Sequence, residues 1–442
     1  MKRFFLSIVL LAIAVPTVFA QQTYVPTAAN LEQRENFRDA GFGIFLHWGI
    51  YSMFSQGEWY LNDGNLDYKE YGQAAAGFYP SKFDAAAWVK AFKDAGAGYI
   101  CITSRHHDGF SMFDTQYSDF SIMKASPFKR DILKELSDEC HKQGLRFHVY
   151  YSLIDWTRDD YYPLGRTGRG VGRRTHGDYS TYFEFMKNQC AEIVTKYNAD
   201  CVWFDGEWDQ TQTNPNFNWR FPELYESIHA LNDACLIANN HHHSPYEHED
   251  IQCFERDVPG ENQAGYSAGQ EVSTKLPLET CQTMNTAWGY KISDKRYKPL
   301  SEIVQLIVRT AGRDANLLLN IGPTASGELP PMSLQRLSEL GEWMNKYGET
   351  VKGGVRGGII KPQTWGVTTQ KDKTLYLHIL DLAQDNLTIT LPAGTKIKAV
   401  NVYDTKAPVT FKQVVDGVYY LKLAEVPATK RVPDYIVEVT LK

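Results

Sequence analysis

Short apolar runs recur along the first three quarters of the chain, and amphipathic helical patterns separate them. One such helix has an apolar face made of residues three or four positions apart, namely Phe183, Met186, Cys190, Ile193, Val194 and Tyr197. The apolar run 201–204 follows it and ends in Asp205-Gly206. This order predicts a helix, a tight turn, and a buried strand whose C-terminal end presents a carboxylate. Glycine lets a substrate or backbone approach closely, so Asp205 is a candidate site residue, with a solvent-facing turn as the alternative.

The alternation of strands and helices continues along the chain. It predicts eight strands, at residues 41–47, 99–103, 147–151, 201–204, 235–238, 251–254, 281–285 and 316–321. Strands that alternate with helices favour a parallel sheet, and the number eight favours a closed (β/α)8 barrel over a doubly wound sheet. In such barrels the C-terminal ends of the strands carry the chemistry.

The pattern changes near residue 353, where apolar and polar residues begin to alternate with a period of two, as in Leu375, Leu377 and Ile379. Short alternating strands separated by Gly, Asp and Pro turns predict an antiparallel β-sandwich. We therefore expect an α/β chain with a TIM-like (β/α)8 barrel over residues 21–352 and a small antiparallel β-sandwich over residues 353–442.

The first 20 residues have the pattern of a secretory signal peptide. Lys2 and Arg3 precede an apolar run over residues 4–15, and small residues precede a cleavage site after Ala20. We expect an exported protein, periplasmic or extracellular. No later run is apolar enough to span a membrane.

The composition narrows the function classes. The 46 Lys and Arg residues against 52 Asp and Glu residues give a net charge of −6, which is not typical of a nucleic-acid-binding protein. Aromatic residues make up 13% of the chain, and Trp and Tyr suit stacking on sugar rings as well as core packing. The seven Cys residues include no C-x-x-C pair, so we expect buried small hydrophobes, not a disulfide framework.

Polar and titratable residues stand at the C-terminal ends of six predicted strands: His47, His106, His107, Tyr151, Asp205, His241 and Glu255. A glycosidase needs at least two carboxyl groups, and Asp205 and Glu255, on different strands, are candidates for this pair. One attacks or stabilises the anomeric carbon, and the other protonates the departing oxygen. Burial beside a second carboxylate should raise the pKa of Glu255, as an acid requires.

The histidines, together with the run His241-His242-His243, allow a second interpretation as zinc ligands. Against it, the first strand ends in a lone His instead of a His-x-His pair, and imidazoles serve equally well to bind sugar hydroxyls. The segment 165–177, with four Arg among five Gly, lacks the Lys-Ser/Thr ending of a phosphate-binding loop. We expect a mobile, solvated loop there, with a rim contact to acidic glycans as the alternative.

Taken together, residues 36–347 resemble the α-L-fucosidases of glycoside hydrolase family 29. The resemblance rests on seven segments in order: 43–49 (GIFLHWG), 58–60 (EWY), 106–110 (HHDGF), 150–156 (YYSLIDW), 203–206 (WFDG), 279–290 (ETCQTMNTAWGY) and 316–323 (NLLLNIGP). The trailing β-sandwich also fits that family.

The resemblance implies an exported, retaining exo-α-L-fucosidase that uses no metal or organic cofactor and acts on fucosylated oligosaccharides or glycoconjugates. It assigns the nucleophile to Asp205 and the acid/base to Glu255. The sugar contacts that it implies are His47, Glu58, His106, His107 and Tyr151 for the hydroxyls, and Trp59 and Trp203 for stacking or for the methyl group. His241 stands where some relatives carry an Arg that contacts the sugar.

The acid/base is the least uniform part of the family, and the residues before Glu255 depart from its common Thr-Pro. Glu261 is the alternative, but it follows the turn signal Pro259-Gly260 and should lie on a mobile loop. Two rival classes are a metal-dependent barrel hydrolase and a non-catalytic carbohydrate-binding protein. Chelator sensitivity would identify the first, and the presence of both carboxylates argues against the second. The sequence leaves the oligomeric state open.

Overall fold

A computed structural model describes residues 24–174, 176–211, 213–381, 385–423 and 432–442. The expected signal peptide, residues 1–20, lies outside the described residues. Within those ranges, no helix is both long enough and apolar enough to cross a membrane.

Eight parallel strands close into a barrel, in which each strand pairs with the next and the eighth pairs with the first. The barrel strands are β1 (Phe42–Leu46), β2 (Tyr99–Arg105), β3 (Arg146–Ser152), β4 (Cys201–Asp205), β5 (Leu236–Asn240), β6 (Ile251–Glu255), β7 (Leu278–Thr283) and β8 (Ala315–Ile321). The predicted barrel is confirmed. Its strands are apolar on both faces because they pack against helices outside and against one another's side chains inside.

The α-helices are α1 (Ala28–Ala40), α2 (Tyr51–Phe54), α3 (Tyr60–Asp63), α4 (Tyr68–Gly72), α5 (Ala85–Asp94), α6 (Ile132–Gln143), α7 (Tyr179–Lys196), α8 (Trp208–Thr211), α9 (Phe221–Leu231), α10 (Leu300–Ala311) and α11 (Pro331–Tyr347). The sequence predicts no helix at the position of α1, because this segment is polar. The Thr27 side chain caps α1, and Arg34 on α1 forms an ion pair of 2.6 Å with Asp250, just before β6.

The expected alternation of strands and helices is broken at two connections. Residues 241–250, between β5 and β6, contain no helix, and neither do residues 256–277, between β6 and β7. The second connection is rich in Gly, Pro and Ser, which favour turns over helices, and the first is a short run of mostly His and acidic residues. They extend from the strand ends that carry the candidate site.

Every second residue of a barrel strand faces the interior, so the parity of a position decides whether its side chain reaches the barrel axis. The interior residues include Phe45, Tyr99, Cys101, Tyr150, Cys201, Trp203, Ala238, Cys253, Cys281 and Leu318. All seven cysteines are buried with free thiols, as expected.

The pairing of β2 with β3 contains a register shift between Thr103 and Arg105. Such a bulge changes the direction of the side chains that follow it. Arg105 is fully buried, pairs with Asp155, and donates to Tyr182 at 3.0 Å. The next two residues, His106 and His107, line the cavity described below.

The C-terminal part contains the strands β9 (Arg356–Gly357), β10 (Gly366–Lys371), β11 (Thr374–Ile379), β12 (Asn386–Thr390), β13 (Ile397–Val402), β14 (Thr410–Val415), β15 (Val418–Lys422) and β16 (Tyr435–Leu441). They form two antiparallel sheets, one of five strands in the order β13-β16-β11-β10-β9 and one of three in the order β12-β15-β14. A separate apolar core contains side chains from both sheets, among them Leu377, Ile389, Leu421 and Val437. The predicted β-sandwich is confirmed.

Candidate active site

A cavity of about 510 Å³ opens at the C-terminal ends of the barrel strands. Its walls bring together side chains that are far apart in the sequence, namely Phe45, His47, Glu58, Trp59, His106, His107, Tyr150, Arg166, Trp203, Asp205, Trp208, Asn240, His242, Glu255, Arg256, Gly265, Tyr266, Cys281 and Trp288. Eight of the ten residues that the sequence proposes for the site are among them.

Asp205 is the last residue of β4, and the turn after it requires a glycine. Gly206 has φ +107°, and a Cβ there would lie 2.6 Å from the Ile154 side chain. The Asp205 carboxylate accepts hydrogen bonds from the Tyr150 hydroxyl at 3.0 Å and from the Trp208 indole at 3.2 Å. These two donors hold the carboxylate in the cavity wall.

Glu255 is the last residue of β6, and its carboxylate contacts three polar side chains. Asn240 Nδ2 lies 3.0 Å from Oε2, and His242 Nε2 lies 3.1 Å from the same oxygen. The Arg256 Nε atom is 3.9 Å from Oε1. Asn240 Nδ2 also lies 3.4 Å from Asp205 Oδ1, so one amide nitrogen lies between the two carboxylates.

The pKa values of the Asp205 and Glu255 carboxyl groups are shifted in opposite directions. Burial, reinforced by the negative charge of Glu255, raises the pKa of Asp205 to about 6. Burial also acts to raise the pKa of Glu255, but the hydrogen bond and charge of His242, with Asn240 and Arg256, lower it overall. The expected raised pKa of Glu255 is therefore not found, because these donors outweigh burial.

Three histidines of the cavity are buried and neutral. Burial lowers the pKa of His47 to about 3, and lowers the pKa of His106 and His107 well below the ordinary value. His47 Nδ1–H donates a hydrogen bond to the Asn320 amide oxygen, 2.6 Å away, because the Asn320 amide nitrogen already donates to Trp288 O. This arrangement leaves His47 Nε2 as a hydrogen-bond acceptor.

His107 has the same arrangement. The Ser152 hydroxyl donates to the Ile154 carbonyl at 2.7 Å, so it accepts from His107 Nδ1, 2.6 Å away. His107 Nε2 is then an acceptor, and it lies 3.6 Å from Asp205 Oδ2. Neutral acceptors of this kind suit the hydroxyl groups of a sugar.

A further carboxyl group, that of Glu58, is buried in the same cavity. Burial raises its pKa, and the Gly289 backbone N–H donates to Oε2 at 2.7 Å. A buried carboxyl group that keeps one oxygen for a ligand can bind hydroxyls firmly, since hydrogen bonds to charged groups are the stronger kind.

Aromatic rings form the rest of the wall. Trp59 stacks on Trp208 with ring centroids 5.8 Å apart, and Trp203 stacks on Tyr150 at 5.7 Å. The Trp203 indole donates to the buried Glu279 carboxylate at 2.8 Å. Apolar ring faces of this kind suit the C–H face or a methyl group of a sugar.

Two of the proposed residues do not line the cavity. Tyr151 faces outward, where its hydroxyl donates to Gln189 at 2.8 Å and its ring lies 4.5 Å from the Arg105 guanidinium. His241 is turned away too, with Nε2 3.0 Å from Glu249. Tyr151 follows the inward-facing Tyr150 on β3 and therefore lies on the other face of the strand, and His241 follows Asn240, the last residue of β5, whose side chain lines the cavity.

The neighbours of these two residues occupy the expected places. Tyr150 and His242 line the cavity, and Tyr150 contacts Asp205 while His242 contacts Glu255. Parity finds Tyr150, which shares the inward face with His148. His242 lies beyond the end of β5, where its left-handed backbone, with φ +66°, and not strand parity directs the side chain. Arg166 and Arg256 lie on loops and Trp208 is the first residue of the short helix α8, so no strand periodicity marks them.

Glu261 lies outside the cavity lining. Its carboxylate forms ion pairs with Arg313 and with Arg309, the latter at 2.8 Å. The connection that carries Glu261 is thus tied to α10 at this point, in place of the mobile loop that the turn signal predicts. In the described ranges, no group of three or more His, Cys, Asp or Glu side chains is arranged to hold a metal ion.

Two carboxylates at the ends of different barrel strands, in a cavity of neutral imidazoles and aromatic rings, define a glycoside hydrolase site. Comparisons with known proteins agree. The family model for alpha-L-fucosidase matches residues 11–349. The alpha-L-fucosidase of Branchiostoma floridae is 26% identical over 442 residues, which cover 92% of each chain.

The plasma alpha-L-fucosidase of Homo sapiens is 28% identical over 395 residues, covering 80% of this chain and 78% of the relative. Among solved structures, alpha-L-fucosidase isoenzyme 1 from Paenibacillus thiaminolyticus has a TM-score of 0.81 at 28% identity, covering 94% of this chain and 100% of that chain. The chain belongs to the α-L-fucosidases, glycoside hydrolase family 29, and is thus a glycoside hydrolase of fucosylated glycans.

Proposed function

We propose that the chain is an exported exo-α-L-fucosidase that retains the anomeric configuration by double displacement. Asp205 is the nucleophile and Glu255 is the general acid and then the general base. No metal or organic cofactor takes part, because the groups needed for both displacements are side chains of this cavity.

The observation that carries this proposal is the position of the Asn240 amide between the two carboxylates. Its nitrogen lies 3.4 Å from Asp205 Oδ1 and 3.0 Å from Glu255 Oε2. The separation of these oxygens cannot exceed the sum of the two distances, which is below the range of about 6.5–9.5 Å typical of carboxyl groups in inverting enzymes. This supports direct attack by Asp205, for which retaining enzymes hold the pair about 5–5.5 Å apart.

In the first step, a carboxylate oxygen of Asp205 attacks the anomeric carbon while Glu255 gives its proton to the departing glycosidic oxygen. A covalent β-fucosyl ester and the free aglycone result. In the second step, Glu255 removes a proton from a water molecule, which attacks the anomeric carbon and releases Asp205. Two inversions give α-L-fucose.

The proton needed for the first step belongs to the pair as a whole. Two interacting carboxyl groups titrate together, and the singly protonated pair is the active form. The lowered pKa of Glu255 favours its carboxylate form, which is the form needed as the base in the second step. Once the ester forms, Asp205 no longer carries a negative charge that would hold a proton on Glu255.

We further propose that fucose fills the inner part of the cavity. His47, His106, His107 and Glu58 bind its hydroxyls, and Trp59 and Trp203 pack against its ring and methyl group. Tyr150, in place of Tyr151, orients the nucleophile. His241 does not contact the sugar, because its imidazole lies behind the cavity wall and contacts Glu249.

Export and domain organisation complete the proposal. Cleavage after Ala20 leaves a catalytic barrel over residues 21–352 and a β-sandwich over residues 353–442. The mass of the mature protein, isolated from its native cell, tests the cleavage site.

The stereochemical experiment is direct. The reaction is followed by proton NMR with an aryl α-L-fucoside, and the first anomer of free fucose is recorded before mutarotation. We expect α-L-fucose, and β-L-fucose as the first product would refute the retaining mechanism. A wild-type enzyme that releases no fucose at all would refute the assigned activity.

A further inference from the structure

Arg166 lies in the wall of the active-site cavity, although the surrounding sequence resembles a simple surface loop. Its guanidinium carbon is 4.7 Å from the centroid of the Trp208 ring. Trp208 in turn donates to Asp205 at 3.2 Å. A permanent positive charge is therefore placed one aromatic ring away from the nucleophile.

The backbone around Arg166 is fixed by buried groups. Its N–H donates to the Asp209 carbonyl at 2.8 Å, and the Thr167 N–H donates to Asp209 Oδ1 at 2.7 Å. The Thr167 hydroxyl also accepts from the Trp156 indole at 2.9 Å. A Cβ at Gly165 would lie 1.8 Å from Asp209 Oδ2, so the close approach requires glycine. Residues 165–167 are thus packed against Asp209 and Trp156, whereas Arg169 and Arg174 of the predicted loop are exposed.

The charge in the cavity changes sign with depth. Glu58 is buried, and the catalytic carboxylates are 14% exposed at their side chains. The Arg256 side chain is 26% exposed, and Arg166 is exposed. The bottom of the cavity is thus acidic and its mouth is basic, in a chain whose net charge is −6.

The two arginines differ in their surroundings. Arg256 stands beside Glu255 and lies over Trp288, so its charge acts on the acid/base. Arg166 lies over Trp208 on the more exposed part of the wall. In an exo-acting enzyme the fucose fills the closed end, and the leaving group must project toward the mouth. Arg166 is therefore on the leaving-group side.

We propose that Arg166 belongs to a leaving-group subsite and favours fucosides whose aglycone carries a carboxylate or a sulfate. This inference rests on the proposed function. A guanidinium presents paired N–H donors that match a carboxylate or sulfate, and stacking on Trp208 limits the orientations of that fork. The net effect is moderate because the site is open to solvent.

The test uses aryl α-L-fucosides of nearly equal size, in which the phenyl ring carries a 3-carboxylate, a 3-sulfate or a neutral 3-carboxamide. The quantity measured is kcat/KM for each anionic substrate divided by kcat/KM for the neutral one. The variant is Arg166→Gln. The matched control is Arg174→Gln, which removes the same charge from the same segment at an exposed position paired with Asp159.

For the wild type and Arg174→Gln we expect a ratio of about 2 to 5 with at least one anion at low salt, falling as salt screens the pair. For Arg166→Gln we expect a ratio of about 1. The anion that shows the larger ratio identifies the preferred group.

Two results would overturn the inference. The first is a wild-type ratio of 1 with both anions, and the second is an unchanged ratio in Arg166→Gln. An unchanged ratio that comes with an equal loss on all three substrates would mean that Arg166 acts on Asp205 through Trp208. Hydrolysis of none of the substrates by the wild type would refute the proposed function as well.

Discussion

The Nε2 atom of His242 lies 3.1 Å from Oε2 of Glu255, and the His242 ring stacks on Tyr266. His242 has φ +66°, a left-handed conformation that is uncommon for residues other than glycine. This backbone turn brings the imidazole to the carboxylate. The hydrogen bond and charge of His242 are the largest of the causes that lower the pKa of Glu255 against burial, ahead of Asn240 and Arg256.

Replacing His242 by Phe should move the whole pH profile of kcat/KM to higher pH. Phe keeps a ring on Tyr266 but removes the donor that lowers the pKa of Glu255 and the charge that lowers the pKa of Asp205. Both proton affinities then rise, so the acidic limb and the basic limb both shift upward. His243→Phe, one position away and half exposed, is the control and should keep the wild-type profile. A shift to lower pH would contradict the assignment.

Tyr150→Phe and Tyr151→Phe remove the same hydroxyl from adjacent residues and should have different effects. The Tyr150 hydroxyl donates to Asp205, and a hydrogen bond to a charged group is worth about 1.5–3 kcal/mol. We expect kcat/KM to fall by roughly 10- to 150-fold in Tyr150→Phe. Tyr151→Phe loses its bond to Gln189 and should lower stability by about 1 kcal/mol with unchanged kinetics. Equal kinetic losses would show that both residues serve the site.

His106→Ala and His107→Ala should each reduce turnover while the protein stays folded. Removing one partner of a buried hydrogen bond costs about 1–3 kcal/mol, so kcat/KM should decrease by roughly 5- to 150-fold. Circular dichroism and the melting temperature establish that the variants are folded. Near-normal activity in both would remove these imidazoles from the sugar site.

Glu279→Gln should lower both the stability of the protein and its activity, because Glu279 anchors Trp203 of the proposed sugar site. Glu279 is buried in the barrel and accepts from Trp203 at 2.8 Å and from Tyr99 at 2.7 Å, and burial raises its pKa to about 7. The single carbonyl oxygen of Gln serves only one donor well, so unfolding should become easier by about 1–3 kcal/mol. Activity should also fall because Trp203 loses its anchor.

Tyr99→Phe is the matched control for that change, because it removes the other donor and leaves the Trp203 bond in place. It should lower stability with little effect on kcat/KM. If Tyr99→Phe reduces activity as much as Glu279→Gln does, the effect is a general loosening of the barrel core and not a role of Trp203.

The barrel and its catalytic carboxylates could be predicted because the signals are local. An apolar run that ends in Asp205-Gly206, or in Glu255, identifies a strand end whatever the tertiary context. The β-sandwich could be predicted in the same way, because apolar and polar residues alternate along its strands with a period of two. Helix α1 could not be predicted this way, because its support comes from distant contacts such as the ion pair between Arg34 and Asp250.

The residues that the sequence misplaced show a different limit. Tyr151 and His241 are in the correct segments but on the wrong faces, and the inward parity of Tyr150 or Asn240 would have shown this. The lowered pKa of Glu255 involves His242, whose left-handed backbone conformation no sequence pattern predicts. The position of Arg166 in the cavity wall depends on the packing of its loop against Asp209, and no local sequence pattern predicts that packing.

The most direct test of the catalytic assignment compares Glu255→Ala, Asp205→Ala and Glu261→Ala with an activated aryl fucoside and azide. A good leaving group departs without protonation, so Glu255→Ala should give a burst, then stall, and yield α-fucosyl azide when azide replaces water. Asp205→Ala should give no burst, and any rescue should yield the inverted β-fucosyl azide. Glu261→Ala should behave like the wild type, because its carboxylate is held by Arg309 and Arg313. A burst and α-azide from Glu261→Ala, with wild-type behaviour in Glu255→Ala, would contradict the assignment.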